Sequence, residues 1–366
     1  MTAAQLISFA RGAPSLDIVD VAGLRAAANR AFDIDPVAVT GYGPATGYAP
    51  LREWIAVRHG VDVDQVLITN GSLQADAFIF DHLVSPGDDV IVEKPTYDRT
   101  LLSLRNLGAK IHQVSLDKDG IDVDELRKLL ESGVRPKLAH VIPNFQNPAG
   151  VTLSLDRRMA LIGLAREYGF TIFEDDPYVD IRFRGEALPA MLKLDDAAAP
   201  TVVAAGSFTK TVCPGVRVGY LVGPAGTIAD IAKVAVNTYI SPNMLAEVTV
   251  HQFCASGDID RSIATVQRAL SERATLLAQA VRREIPGASF NEPDGGYFLW
   301  VDLPEDIDVA KLAPAAAERG VAVVKGTDFL LEGGNHSLRL AYSAVSTDMI
   351  DEGVRRLAAA IAGVRG

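Results

Sequence analysis

Short apolar runs alternate with longer stretches of mixed polarity through much of the chain, and this rhythm predicts its architecture. Apolar runs lie at 66–69, 138–142, 171–175, 201–205 and 216–222, and strands are also expected at 89–97, which ends in a turn and an aromatic, and at 110–115. Between them, apolar positions recur at helical spacing and predict helices over 51–59, 70–83, 100–107, 123–131 and 155–168. Strands separated by helix-length segments imply βαβ units. The expected fold is therefore α/β, with a mostly parallel sheet flanked by helices on both faces. Ligands of such sheets sit beyond the carboxyl ends of the strands.

On either side of this block the pattern changes. Residues 1–40 read as an arm and a short helix, with 7–14 extended and ending in a turn. Gly41, Gly43, Pro44 and Gly47 mark a loop around Tyr42. Beyond the block, 228–255 carries helical patterns broken at Ser241-Pro242, and 258–284 predicts one long helix. Strands follow at 295–303, 322–324 and 337–343, with helices at 309–319 and 347–362. A chain of 366 residues exceeds the ~250–300 at which single cores stop growing. The expected division is a large domain over 41–250 and a smaller α+β domain over 251–366, to which the 1–40 arm contributes.

Composition narrows the function classes. A net charge of −11 argues against a nucleic-acid surface, which normally shows as a basic patch. Only Cys213 and Cys254 are present, so neither a disulfide framework nor a cysteine metal site is expected, and a cytoplasmic location follows. No metal is expected. No apolar run approaches the ~18 residues of a spanning helix, and the N-terminus has no signal-peptide pattern, so no membrane role is expected.

Candidate chemistry centres on Lys210, in the segment Ser207-Phe208-Thr209-Lys210 that follows an apolar run and precedes Pro214-Gly215-Val216-Arg217-Val218-Gly219-Tyr220. An ammonium buried here is costly, and desolvation beside other cations lowers its pKa toward a value useful to a nucleophile. Condensation with an aldehyde cofactor neutralises it, and Ser207, Thr209 and Arg217 stand ready for an anion on that cofactor. Asn70-Gly71-Ser72-Leu73 turns from strand to helix, leaving unpaired backbone N–H groups at the positive end of a helix dipole, which favours a phosphate. Asp175, Asp176 and Tyr178 follow another buried strand, where carboxylates are costly without a cation or a donor.

Together these motifs resemble the class I/II aminotransferases, enzymes of fold type I that depend on pyridoxal 5'-phosphate. The resemblance spans residues 9–343. The wording Glu174-Asp175-Asp176-Pro177-Tyr178 is similar to the branch containing 2-aminoadipate and kynurenine aminotransferases. It implies that Lys210 binds the cofactor covalently and that Gly71, Ser72, Leu73 (by backbone), Ser207, Thr209 and Arg217 hold its phosphate. It gives Asp175 to the pyridine nitrogen, Tyr178 and Asn147 to the phenolic oxygen, and Tyr97 to the face of the ring. Asn144 is a second candidate beside Asn147. Arg339, in Leu338-Arg339-Leu340, becomes the clamp for the substrate carboxylate, with Asn147, and Gly12 and Arg11 of the arm, also beside the substrate.

The resemblance also implies a homodimer with shared active sites, Tyr42 reaching the phosphate of the partner's cofactor. Substrates would be an amino acid and a 2-oxo acid. Two departures stand out: Leu73 replaces a glutamine frequent in the family, and Val324-Lys325-Gly326 stands where proline-glycine is frequent. Some GntR-type transcription regulators share these motifs behind a DNA-binding domain; the family region here begins near Met1, which favours an enzyme. Elimination, cyclisation or oxidation of a specialised amino acid would use the same cofactor residues, as would a non-catalytic sensor.

Overall fold

The structure, a computed structural model, describes residues 6–365. Its strands in chain order are β1 Ile7–Ser8, β2 Val66–Thr69, β3 Asp89–Lys94, β4 Lys110–Asp117, β5 Gly120–Ile121, β6 Pro136–Val141, β7 Thr171–Asp175, β8 Val202–Ser207, β9 Gly219–Val222, β10 Phe298–Asp302, β11 Val321–Ala322, β12 Val324–Lys325 and β13 Ser337–Ala341. One eight-stranded sheet runs in the order β2-β9-β8-β7-β6-β3-β4-β5. The central pairs, β8 with β7, β7 with β6, β6 with β3 and β3 with β4, are parallel. At one edge β9 lies antiparallel between β2 and β8, and at the other β5 folds back on β4.

Strand parity explains why both faces are covered. Side chains alternate between the faces of a strand, so a run that is apolar throughout must bury both. Val90, Val92, Leu138 and Phe173 join a core with Ala75, Ile79 and Phe80 of helix Ser72–Leu83 and with Ile228 and Ile231 of helix Ala225–Tyr239. Their neighbours Ile91, Ala139, Val141 and Ile172 join the opposite core, with Leu126 of helix Val123–Glu131 and Leu161 and Leu164 of helix Leu155–Tyr168.

The C-terminal third builds a separate antiparallel sheet, β10-β13-β12, covered by helices Asp258–Glu284 and Thr347–Arg365. Ile7, Phe9 and Ile18 bury their side chains in the same core, beside Leu270, Leu277, Leu340 and Leu357. Backbone pairing ties the arm down: β1 lies parallel to β11, and Ala341 N donates to Phe9 O.

Several boundaries differ from the sequence expectation. The predicted strand at 322–324 is two pieces, because β11 pairs with the arm while β12 pairs with β13. The patterns over 228–255 form helices Ala225–Tyr239 and Met244–Ala255, parted at Ile240, whose φ is +64°. The first part of 216–222 is a 3-10 turn, because Arg217 takes a left-handed conformation (φ +50°) and the strand starts only at Gly219. The predicted short helix of the arm is the longer Val21–Ile34. Its small, fully buried Ala27 and Ala31 let it join the core of helix Met244–Ala255.

Candidate active site

The functional candidates gather where the parallel strands end. Ser72 follows β2, Tyr97 follows β3, Asn147 follows β6, Asp175 is the last residue of β7, and Lys210 lies just past β8. A cavity of about 260 Å³ is lined by Gly12, Ser72, Tyr97, Asn147, Asp175, Tyr178, Lys210 and Arg339, together with Asp98, Arg99, Ile142, Pro177 and Phe298.

Lys210 is half-buried, and its Nζ sits 5.1 Å from the ring centre of Tyr297 and 5.5 Å from that of Tyr178. Among the described residues the Nζ makes one hydrogen bond, a long one of 3.4 Å to Gly12 O. Burial is the largest influence on its amine and, with Arg217 and Arg339, outweighs the pull of Asp175, so its pKa is pushed down to about 8. A far larger fraction of this lysine than of an ordinary exposed one is therefore a free nucleophile near neutral pH.

Register places the anion candidates in one row. Gly219 pairs with Thr69 on one side and with Ser207 on the other, which brings the segments of Gly71, Arg217 and Ser207 together. Arg217 Nη2 donates to Asn70 O at 3.2 Å. Ser207 Oγ and Thr209 Oγ1 lie 2.8 Å apart. Gly71 has φ +80°, and a Cβ there would come within 2.3 Å of Arg217 Nη2. Glycine thus lets the guanidinium approach the N-terminus of helix Ser72–Leu83, where unpaired amides and a cation make an anion cradle. Leu73 is 44% exposed and lines no part of the cavity.

Asp175 is buried, and its Oδ1 has no hydrogen-bond partner among the described residues. An orphaned buried carboxylate oxygen calls for a donor such as a protonated ring nitrogen. Burial pushes the Tyr178 hydroxyl well above its ordinary range, so it stays a donor. Asn147 Oδ1 accepts from Arg339 Nη1 at 2.9 Å, which turns its amide nitrogen over to other acceptors. Lysine, anion cradle, orphaned aspartate and phenol donor together fit pyridoxal phosphate.

Arg339 also donates from Nη2 to Ala10 O at 2.9 Å, and its guanidinium packs 4.3 Å from the ring centre of Phe298 and 4.8 Å from that of Phe329. Gly12 touches the same Phe298 ring, and a Cβ at Gly12 would fall 2.5 Å from its Cζ. Phe298 is legible in the sequence only as part of a strand, and Asp98 and Arg99 only as the approach to a helix; none of them belongs to a motif.

Other candidates sit elsewhere. Asn144 is committed to its own network, donating to Asp176 Oδ2 at 2.6 Å and accepting from Arg158 Nη2 at 3.0 Å. Arg11 is exposed and does not line the cavity. Tyr42 is 88% exposed.

Comparison with known proteins agrees with this geometry. The family described as "Aminotransferase class I and II" matches residues 4–357. The 2-aminoadipate transaminase of Thermus thermophilus is 33% identical, with 98% of this chain and 91% of that protein aligned. The crystal structure of alpha-aminoadipate aminotransferase from Thermus thermophilus, complexed with N-(5'-phosphopyridoxyl)-L-leucine, superposes with a TM-score of 0.94 at 32% identity, covering 98% and 92% of the two chains. Kynurenine aminotransferase from Pyrococcus horikoshii superposes with a TM-score of 0.92 at 32% identity, covering 99% and 92%. With this fold, this cavity and a family match along nearly its whole length, the chain belongs to the class I and II aminotransferases, fold type I enzymes that depend on pyridoxal phosphate.

Proposed function

We propose that the protein moves the amino group of an L-amino acid to a 2-oxo acid in two half-reactions, releasing the first oxo acid before the second binds. The observation that carries this reading is the convergence of Lys210, Asp175, Tyr178, Asn147 and Arg339 on one cavity. The names of its relatives, 2-aminoadipate transaminase and aromatic-amino-acid aminotransferase, support a donor class of acidic or aromatic amino acids.

Bound here, pyridoxal phosphate supplies an aldehyde for covalent capture of amines and a pyridinium ring that acts as an electron sink. Each residue then has a task. Lys210 Nζ would hold the cofactor and, as a free amine, would move a proton to and from the substrate Cα. The Asp175 carboxylate keeps the ring nitrogen protonated. Tyr178 and Asn147 donate to the phenolic oxygen. Tyr97 covers one face of the ring, and Gly71, Ser72, Leu73 N, Ser207, Thr209 and Arg217 take the phosphate.

Arg339 grips the substrate carboxylate with a fork already aligned by Asn147 and Ala10. That grip fixes which bond at Cα stands where Lys210 can reach its proton. Gly12 and Arg11 border the substrate side.

The working unit in this reading is a homodimer, with Tyr42 donating to the phosphate of the partner's cofactor. The 88% exposure of Tyr42 in a single chain, with Val37, Ile240 and Leu245 also exposed, supports a second copy covering this region. The large domain is taken as 41–250 and the small one as 251–366 with the 1–40 arm, of which residues 1–5 and 366 lie outside the described residues. Residues 7–18 share the small domain's core, whereas helix Val21–Ile34 packs on the large one. Two free cysteines support a reducing, cytoplasmic location; among the described residues no helix is long and apolar enough to cross a membrane.

Arg339→Lys tests substrate capture. Lysine carries the charge but not the planar fork that spans Asn147 Oδ1, Ala10 O and a carboxylate. The expected outcome is a KM for the amino donor raised between ~10- and ~100-fold, with the cofactor spectrum intact. An unchanged KM for every donor would remove Arg339 from this role.

A further inference from the structure

Behind Asp175, on the side away from the substrate candidates, lies a second buried carboxyl group that no step above uses. Asp76 is 2% exposed, on helix Ser72–Leu83. Strand parity brings it to its neighbours: His140 shares a face with Leu138, Asp175 shares a face with Phe173, and both of those apolar residues pack in the core of this helix. One ligand-capable atom each from Asp76, His140 and Asp175 lies within 4.8 Å of the others.

We propose that Asp76 is a positioning residue that keeps one proton in the buried carboxyl pair and thereby fixes the single negative charge that Asp175 presents to the cofactor's ring nitrogen. This inference rests on the assignment of Asp175 to that nitrogen.

The argument begins with charge. Two carboxylates this close in an apolar interior cannot both ionise, so the pair carries one proton between them. Asp175 faces the cavity, with Lys210 and Arg339 lining the same cavity, and Lys210 feels its charge directly. Asp76 has no ion pair among the described residues, and its Oδ1 has no hydrogen-bond partner. The proton therefore belongs on Asp76. Burial, reinforced by the charge of Asp175, pushes the Asp76 carboxyl well above the ordinary range.

His140 completes the cluster. Its Nε2 lies 3.6 Å from Asp175 Oδ2 and 3.5 Å from Thr100 Oγ1, and its Nδ1 has no partner among the described residues. Phe80 and Phe173 pack against its ring at 5.9 and 5.6 Å. Tyr97, Glu93, Asp176 and Tyr178 also sense Asp175, Tyr97 from ahead of helix Asp98–Asn106, Glu93 from β3, and Asp176 and Tyr178 from the turn after β7. Among the described residues no lysine or arginine pairs with Asp76 to offset a second negative charge. A neutral Asp76 can instead donate its proton to the cluster and hold the Asp175 carboxylate in place.

Two variants separate this role from simple packing. Asp76→Asn keeps a neutral donor of the same shape; Asp76→Leu keeps the volume and removes the donor. In wild-type apoenzyme at neutral pH, infrared difference spectra against Asp76→Asn should show the carbonyl stretch of a protonated carboxylic acid. In the holoenzyme, Asp76→Leu should shift the pH profile of the cofactor absorbance and lower kcat by ~10-fold, leaving the KM of the amino donor within ~3-fold; Asp76→Asn should restore most of that loss. Should the leucine variant fail to fold, the infrared result on the asparagine variant still decides.

Absence of the protonated-acid band would overturn the proposal, as would a leucine variant whose spectrum and kcat match wild type. Stoichiometric divalent metal in the purified holoenzyme would also overturn it, since the three side chains would then be ligands. Failure of the Asp175 assignment is distinguishable: it would leave the infrared band of the apoenzyme in place while the spectral and kinetic effects vanish.

Discussion

Lys210→Ala is expected to lose the visible absorbance that a covalently held pyridoxal phosphate gives the wild-type protein, together with transamination, by ~10⁴-fold. The size follows from two tasks resting on one atom. Lys210 Nζ is the group in the cavity that is both nucleophilic and free to move, with one weak 3.4 Å hydrogen bond to Gly12 O and an amine pushed down to about 8. The fold should survive, because the lysine makes no ion pair among the described residues and its neighbours Tyr178 and Tyr297 are held by their own core. The alanine variant should still bind the cofactor reversibly through the anion cradle and Asp175. Spectra before and after dialysis, with oxo-acid release, measure both effects. Turnover within ~10-fold of wild type would remove Lys210 from the mechanism.

Asp175→Asn is expected to cost ~10³-fold in kcat while leaving the lysine attachment in place. An amide cannot supply the negative charge that keeps the ring nitrogen protonated, and the unpaired Oδ1 of Asp175 is positioned for that one purpose. The substitution also removes the like-charge pressure between Asp175 and Asp76, so the variant should be no less stable than wild type near neutral pH. The sign follows from linkage: a carboxyl raised by burial costs stability as pH rises above its unfolded value, and here that cost falls. Stopped-flow rates for a single turnover, paired with thermal melts of the apoenzyme, check the two halves of this expectation. A kcat within ~3-fold of wild type would show that Asp175 does not set the charge of the ring.

The sheet and most of the cavity could be read from the chain because each signal is local. Val66 to Thr69, Val90 to Val92, Leu138 to Val141 and Thr171 to Asp175 are largely apolar, as a doubly covered strand requires, and polar residues that follow these strands are now found at the cavity wall. Residues whose roles depend on distant partners could not be read this way. Asn144 and Asn147 look alike in sequence, yet Arg158 and Asp176 take the first and Arg339 the second. The break between β11 and β12 arises because the arm, far away in the chain, pairs with Val321–Ala322. Asp76 did leave a trace, an acid one helical turn before the buried Ile79 and Phe80, and His140 another, a polar residue inside an apolar strand. Their meeting depends on the strand order, which periodicity does not encode.

The central claim is a reaction in two separable halves. Its most direct test mixes the purified holoenzyme with single amino acids, including 2-aminoadipate and kynurenine, with no oxo acid present, and follows the cofactor absorbance. The visible band should disappear with release of one equivalent of 2-oxo acid per active site, and adding a 2-oxo acid should restore it. A band that no amino acid changes, or one whose loss yields ammonia or a cyclised product in place of an oxo acid, would contradict the account.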